Sequence, residues 1–212
     1  MEIVNLTKEK YDEWDKFCLE SDDAWFWHTS KWLEYTLRIQ ESHESESKSF
    51  FIMKDGKMAA ICPLLLEDKN GIKEFSLNHY YGFMPAFANH LTKKERMTAM
   101  KDTFRHVDSL AKENQVKKVM MRSAVLNQSF LRNREQSFNI LMKFGFLDTS
   151  LNTQIIDVSR SIEVLKKEIR RGHISDIKNA PKSVEVKIFD AGNITKEISD
   201  DYMALHRKAA GR

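Results

Sequence analysis

Phe50-Phe51-Ile52-Met53-Lys54-Asp55-Gly56-Lys57-Met58-Ala59-Ala60-Ile61-Cys62-Pro63-Leu64-Leu65-Leu66 is the stretch that decides the fold. Phe50 to Met53 and Lys57 to Leu66 are apolar runs on either side of Asp55-Gly56, a pair suited to the tight turn whose twist matches antiparallel strands. The segment therefore reads as a β-hairpin. Downstream, Asn70-Gly71 predicts a second reversal and a further strand. Upstream, Met1 to Leu6 reads as a short first strand. Phe75 to Met84, aromatic and glycine-bearing, reads as a strand leading into a pocket-rim loop. Val116 to Met121 is expected to be a buried strand and Thr153 to Val158 an alternating one. Val184 to Phe189 is expected to be another, with Val184, Val186 and Ile188 on one side.

Helices alternate with these strands. Tyr11, Trp14, Phe17 and Cys18 recur at helical spacing across Thr7 to Leu19. Three aromatics at Trp25, Phe26 and Trp27 precede a cap at Thr29 or Ser30, from which Trp32, Leu33, Tyr35, Thr36 and Ile39 continue as a second helix. The polar run Gln40 to Ser49 reads as a solvent loop. Thr92 to Glu113 is a long helix with a capping box formed by Thr92 and Glu95. Asn127 to Phe144 is another, stopped by Gly145, and Ser161 to Ala180 and Ile198 to Gly211 follow. The class is α/β, in mixed α+β order, with hairpins beside helix crossovers. Residue spacing alone shows no internal repeat.

A chain of 212 residues, 42% of them hydrophobic, suffices for one large domain or for one domain and part of another. Its formal charge of +3 is too small to demand nucleic acid. Residues 1 to 50 carry 12 acids against 6 bases and residues 91 to 143 carry 12 bases against 5 acids, so the middle of the chain is the more positive. The tryptophans lie in the acidic part, away from the bases, which argues against a nucleic-acid stacking platform and against DNA as a partner. Cys18 and Cys62 form neither a Cys-x-x-Cys pair nor a disulfide framework, so a reducing, cytoplasmic setting is expected. Met58 to Leu66, the longest apolar stretch, is too short to span a bilayer.

The seven histidines lack the spacings of a metal site, and no metal is expected. A Gly-x-Ser-x-Gly elbow, a P-loop and a Gly-x-Gly-x-x-Gly fingerprint are also missing from the sequence. The binding candidates are of another kind. On one continuous helix, Ile162, Leu165, Ile169, His173 and Ile177 would share an arc beside Lys166, Lys167, Arg170, Arg171 and Lys178. A cationic band of that sort can hold an anionic ligand, with arginine giving bidentate recognition. His28 and Trp32 lie among aromatics that could line a cleft or simply seal two helices. His79-Tyr80-Tyr81-Gly82 has a composition suited to a binding loop.

Three segments together resemble the FemABX-like acyltransferases and their relatives built from GNAT-like domains. They are Phe26-Trp27-His28-Thr29-Ser30-Lys31-Trp32-Leu33, Phe144-Gly145-Phe146 followed by Thr153 to Val158, and Leu165 through Arg170, Arg171, Ile174, Lys178 and Ala180 to Val184-Glu185-Val186. The resemblance implies a GNAT-like domain with a central, mostly antiparallel sheet flanked by helices. It further implies two such domains and the transfer of an acyl or aminoacyl group to an amine. Residues 1–190 would be the first domain, on the acceptor side, and residues 191–212 a linker and the first helix of a second. Acyl-CoA or aminoacyl-tRNA would be the donor in a longer enzyme, with no cofactor held by this part.

The same resemblance makes Arg170, Arg171 and Lys178 candidate contacts to an acidic or phosphorylated acceptor, and His28, Trp32, Tyr35, Tyr80 and Tyr81 join them as substrate-binding candidates for an anionic or peptide-like amine acceptor. A role for tRNA follows only for a true FemABX-type enzyme, and a homodimer stays open. Tyr35 stands near where the family's peptidoglycan-precursor binders carry lysine, and Ser175 replaces an arginine, which counts against a muropeptide acceptor. Catalytic residues are not assigned. A single-domain GNAT N-acetyltransferase and a non-catalytic interaction module are the alternatives.

Overall fold

A computed structural model describes residues 1–38, 44–76, 82–123, 128–129, 139–149 and 158–210. The chain divides into two compact units, Met1–Thr149 and Ser150–Arg212. In the first, the strands are β1 (Glu2–Asn5), β2 (Glu44–Ser47), β3 (Phe50–Lys54), β4 (Lys57–Cys62), β5 (Leu65–Lys69), β6 (Ile72–Ser76), β7 (Gly82–Phe83), β8 (Ala86–Phe87), β9 (Lys118–Val119) and β10 (Met121–Arg122). The helices are α1 (Tyr11–Glu20), α2 (Ser30–Arg38) and α3 (Lys93–Glu113). One sheet has the order β1-β3-β4-β8 and another β2-β5-β6-β9, while β7 and β10 form a parallel pair.

The deciding hairpin is a single bent ribbon. Ser47 pairs with Leu65 on one side of a break and Phe50 with Cys62 on the other, in unchanged register. Pro63 causes the break, because it has no N–H to donate to the ladder. The Ser49 hydroxyl bridges the gap, accepting from Leu64 N at 3.0 Å, while Lys48 N donates to Leu64 O at 2.8 Å. Asp55 and Gly56 both take positive φ at one turn, and Asn70 and Gly71 do so at the next, as a two-residue hairpin turn of the favoured hand requires.

Alternation then sorts the side chains. Phe50, Ile52, Ala60 and Cys62 face α3, where Ala99, Met100, Phe104 and Val107 cover them. Phe51 and Ile61 face the other way, onto Trp14 and Phe17 of α1. Further along the ribbon, Leu65 meets Leu33 of α2. The helices thus flank a mixed, mainly antiparallel sheet system. The Thr92 hydroxyl accepts from Glu95 N at 3.3 Å, and Glu95 accepts from Thr92 N at 2.9 Å, so the expected capping box opens α3. Gly145, at φ 84°, ends the 3₁₀ turn Ile140–Phe144. Most of the helix expected from Asn127 lies outside the described residues, as does Thr153 to Asp157.

Several expectations are corrected. Glu44 to Ser47, within the expected solvent loop, is an edge strand: polar composition does not distinguish a loop from a strand with one wet face. Val116 to Met121 is divided between β9 and β10, which join different parallel neighbours, and Lys118 is exposed. In the second unit, the single helix expected from Ser161 is α4 (Ile162–Glu168) and α5 (Arg171–Asn179). Ile169 and Arg170 separate them with ψ of 134° and 140°. Val184 to Phe189 forms no strand, since β structure needs a ladder partner and none pairs with it among the described residues. A last helix, α6 (Lys196–Ala210), follows. The described residues of this unit include no buried side chain.

The ionisable groups give the first unit a defined acid response. Burial holds the imidazoles of His28 and His106 below their ordinary range. Hydrogen bonds from Lys54 and then Thr92 hold Glu95 down at about 2. As pH falls through about 6.5, the unfolded chain takes up histidine protons that the folded one refuses. Between the ordinary 4.5 of Glu95 and about 2 the stabilisation from its ionised form is lost as well. The urea midpoint is expected to drop between pH 7 and pH 5 and again below pH 4.5. A midpoint constant down to pH 5 would contradict the buried, neutral state of His28.

Candidate functional site

The aromatic run Trp25 to Trp27 becomes a 3₁₀ turn, Phe26–His28, before α2. His28 is buried, and its Nδ1 accepts from Trp25 N at 3.0 Å. Its Nε2, 3.0 Å from the Met84 carbonyl, carries the proton and donates it. The backbone carbonyl of His28 accepts the Trp14 indole N–H at 2.6 Å. Thus His28 ties the turn to the β7–β8 connection and to α1, and its ring is used internally. Asp15 completes the entry to α2 by accepting from Ser30 N at 2.7 Å and from the Ser30 hydroxyl at 2.6 Å.

Helical spacing brings Trp32 and Tyr35 together. Trp32 lies 5.2 Å from the rings of both Phe26 and Tyr35, making a tilted ladder of three. Phe26 is 55% and Tyr35 50% exposed, so the ladder presents ring surface to solvent. Trp27 packs against Trp32, and the Arg122 guanidinium lies 5.3 Å from a Trp27 ring. The Trp32 indole N–H is buried and has no acceptor among the described residues.

The hairpin register assembles a second cluster, one not foreseen in the sequence. Leu65, Glu67 and Lys69 of β5 share a face with Ser76 and Glu74 of β6. Leu65 packs under α2, so the polar groups continue the face that α2 covers. Glu67 is 0% exposed; the Ser76 hydroxyl donates to it, and Lys69 Nζ lies 2.9 Å from its Oε2 and 3.1 Å from Glu74. Lys69 and Glu74, both partly exposed, form the rim. The signal was present as Glu67-x-Lys69 and Glu74-x-Ser76 around Asn70-Gly71, where period two places each pair on one face.

A pocket of about 190 Å³ near the start of α3 is lined by Asp22, Asp23, Asn89, Leu91 and Arg96 among others. Its charges are matched internally. Arg96 pairs with Asp23, which also accepts from Phe87 N at 3.1 Å. At the helix start, the carboxylate of Glu95 already takes the Thr92 N–H and hydroxyl and pairs with Lys54. Burial pushes the Cys18 and Cys62 thiols upward, away from the reactive thiolate.

The remaining candidates are placed as follows. Arg170 immediately precedes α5, Lys178 is in its last turn, and both are exposed. The single cationic band is not present, because the break at Ile169 resets the helical phase and leaves His173 and Ile177 exposed. Tyr80, Tyr81 and the side chain of Arg171 lie outside the described residues. No cluster of three or more His, Cys, Asp or Glu side chains suited to a metal occurs among the described residues. Likewise, no described helix is long and apolar enough to cross a membrane.

One antiparallel and one mixed sheet flanked by α1, α2 and α3 make an arrangement consistent with a GNAT-like fold. No family model and no curated protein matches the sequence. Among solved structures, FemX is similar over 100% of this chain and 51% of its own, at 16% identity and a TM-score of 0.55. The chain thus spans about half the length of FemX. A probable acetyltransferase is similar over 76% of this chain and 100% of its own, at 16% identity and a TM-score of 0.46. A ribosomal-protein-alanine N-acetyltransferase from Brucella melitensis biovar Abortus 2308 is similar over 74% and 99%, at 12% identity and a TM-score of 0.41. The likeness to FemX shows the fold alone, a mixed α/β fold consistent with a GNAT-like arrangement.

Proposed function

We propose that the chain is the acceptor-binding part of an N-acyl or aminoacyl transferase. In this reading residues 1–190 form the first GNAT-like domain and residues 191–212 lead into a second, which takes acyl-CoA or aminoacyl-tRNA. The observation that carries the division of labour lies at the start of α3. A phosphate-bearing donor seeks free amides at a helix N-terminus. Glu95 puts a carboxylate there instead, bonded to the Thr92 N–H and hydroxyl and paired with Lys54, so an internal anion already occupies part of that position. The same observation weighs against a single-domain acetyltransferase.

An acceptor has better provision. The ladder of Phe26, Trp32 and Tyr35 offers exposed ring surface, and Glu74 and Lys69 offer paired charge on the neighbouring sheet face. Arg170, Arg171 and Lys178 are the contacts proposed for an anionic group on the acceptor, and Tyr80 and Tyr81 complete the candidate set. The reaction would join a neutral amine nitrogen to an activated carbonyl carbon. The C–S bond of a thioester or the C–O bond of an aminoacyl ester breaks, and one proton leaves the nitrogen. Orientation of the amine and stabilisation of the oxyanion are the main contributions such a site can make. A cytoplasmic setting fits these donors.

The test supplies the longest natural form of the chain with acyl-CoA or charged tRNA and a panel of amine acceptors, and follows the amide product. Donor-dependent product is expected with one donor class. No product with either donor would contradict the proposal.

A further inference from the structure

The row that β1 begins does not run the full length of the ribbon it joins. Glu2 to Asn5 pair with Met53 to Phe50, and Leu6 N donates to Ser49 O at 2.9 Å, after which the chain leaves for the 3₁₀ turn Lys8–Lys10. β2 continues the ribbon past that point and is the edge of its own sheet. The register says which of its backbone groups point where. Lys48 N donates to Leu64 O, so in an antiparallel ladder Glu46 and Glu44 direct their backbone groups at β5 while Ser45 and Ser47 direct theirs outward. These outward groups lie in line with the Ser49 carbonyl that β1 uses. Ser45 and Ser47 therefore present the N–H and C=O groups that an added strand needs.

Side chains decide which strand fits. Period two puts Glu44 and Glu46 on the face away from Leu65 and Glu67, and both are exposed. Glu44 stands opposite Asp68 of β5, so this face carries three carboxylates at its edge. Lys48 pairs with Glu46 at 2.7 Å and Asp68 accepts from Gly71 N at 2.7 Å, whereas Glu44 enters no ion pair with the described residues. A second copy of this chain does not suit the edge. Antiparallel pairing of two β2 strands through Ser45 and Ser47 sets Glu46 opposite Glu46, and like charges directly opposite are destabilising. We propose that the outer edge of β2 is a docking site for an extended segment of a partner protein with Lys or Arg at alternate positions. Running antiparallel to β2, the segment hydrogen-bonds to Ser47 and Ser45 and sets its basic residues opposite Glu46 and Glu44. The backbone bonds supply affinity and the glutamates select the sequence. This site needs no acyl donor and lies beyond the transfer reaction proposed above.

The test uses the 212-residue chain, isotopically labelled for NMR, and the peptide acetyl-Val-Lys-Val-Lys-Val-amide as probe. The amide signals of Ser45 and Ser47 are expected to move and to saturate below about 5 mM peptide, by at least about twice as much as those of Glu44 and Glu46, whose N–H groups face β5. The same peptide with Glu in place of Lys is expected to bind at least about 5-fold more weakly. A chain carrying Glu44→Lys and Glu46→Lys should reverse that preference. Ser45→Pro removes an outward N–H without touching the ladder to β5, and is expected to abolish binding by itself. No saturation at Ser45 and Ser47, equal shifts along β2, an unchanged charge preference in the double variant, or full binding by Ser45→Pro would each overturn the inference. A dimer in which the Ser45 and Ser47 amides are protected without peptide would also overturn it, by making a second copy the occupant. None of these readouts involves acyl transfer, so this inference and the functional proposal can fail separately.

Discussion

Replacing Trp14 by alanine is expected to cost the first unit about 3–5 kcal/mol, the range for removing a large buried aromatic. Trp14 is 0% exposed and fills the space between α1 and the sheet face of Phe51, Ile61 and Ala86. Its indole N–H also satisfies the carbonyl of His28. Alanine would therefore leave a cavity and remove a hydrogen bond at the turn that carries Phe26. Trp14→Phe separates the two losses: it refills most of the volume but supplies no donor, and should recover more than half of the stability. Urea denaturation followed by circular dichroism measures both. A loss below about 1.5 kcal/mol for Trp14→Ala would contradict the close packing described for this face.

The second large effect is expected at Lys69. Burial alone would lower its affinity for a proton, but hydrogen bonds to Glu67 and Glu74 hold it above its ordinary range. Its ammonium lies 2.9 Å from Glu67, whose carboxylate has no solvent exposure. Lys69→Met removes that counter-charge, and breaking a buried pair from one side typically costs about 3–5 kcal/mol. Adding Glu67→Gln should return more than half of the loss, since an amide can still accept from Ser76 and carries no charge to compensate. The four proteins of this cycle, compared by urea denaturation, measure the coupling directly. Additive losses would contradict an interaction between Glu67 and Lys69.

How far the sequence could be read follows from the range of the forces involved. Turn chemistry at Asp55-Gly56 and Asn70-Gly71, and the Thr92 and Glu95 capping box, are local, and they placed two hairpins and α3 correctly. Edge strand β2 was missed because its partner, β5, lies some twenty residues away and its own composition is polar. The cationic helix was read too long because periodicity continued through Ile169 and Arg170, where the backbone turns extended. Among the site residues, Trp32 and Tyr35 meet because helical spacing dictates it. His28 proves to be a tether, for its bond to Met84 spans a separation that no local pattern encodes. The Glu67 cluster needed the strand register before its members could be seen to share a face.

The division into an acceptor side here and a donor side elsewhere is the central claim, and calorimetric titration of acetyl-CoA into the 212-residue chain tests it most directly. With Glu95 closing the start of α3, no saturable binding is predicted up to about 1 mM, a limit equivalent to about −4 kcal/mol. Saturable binding of acetyl-CoA at micromolar concentration would place a donor site within this chain and contradict the account.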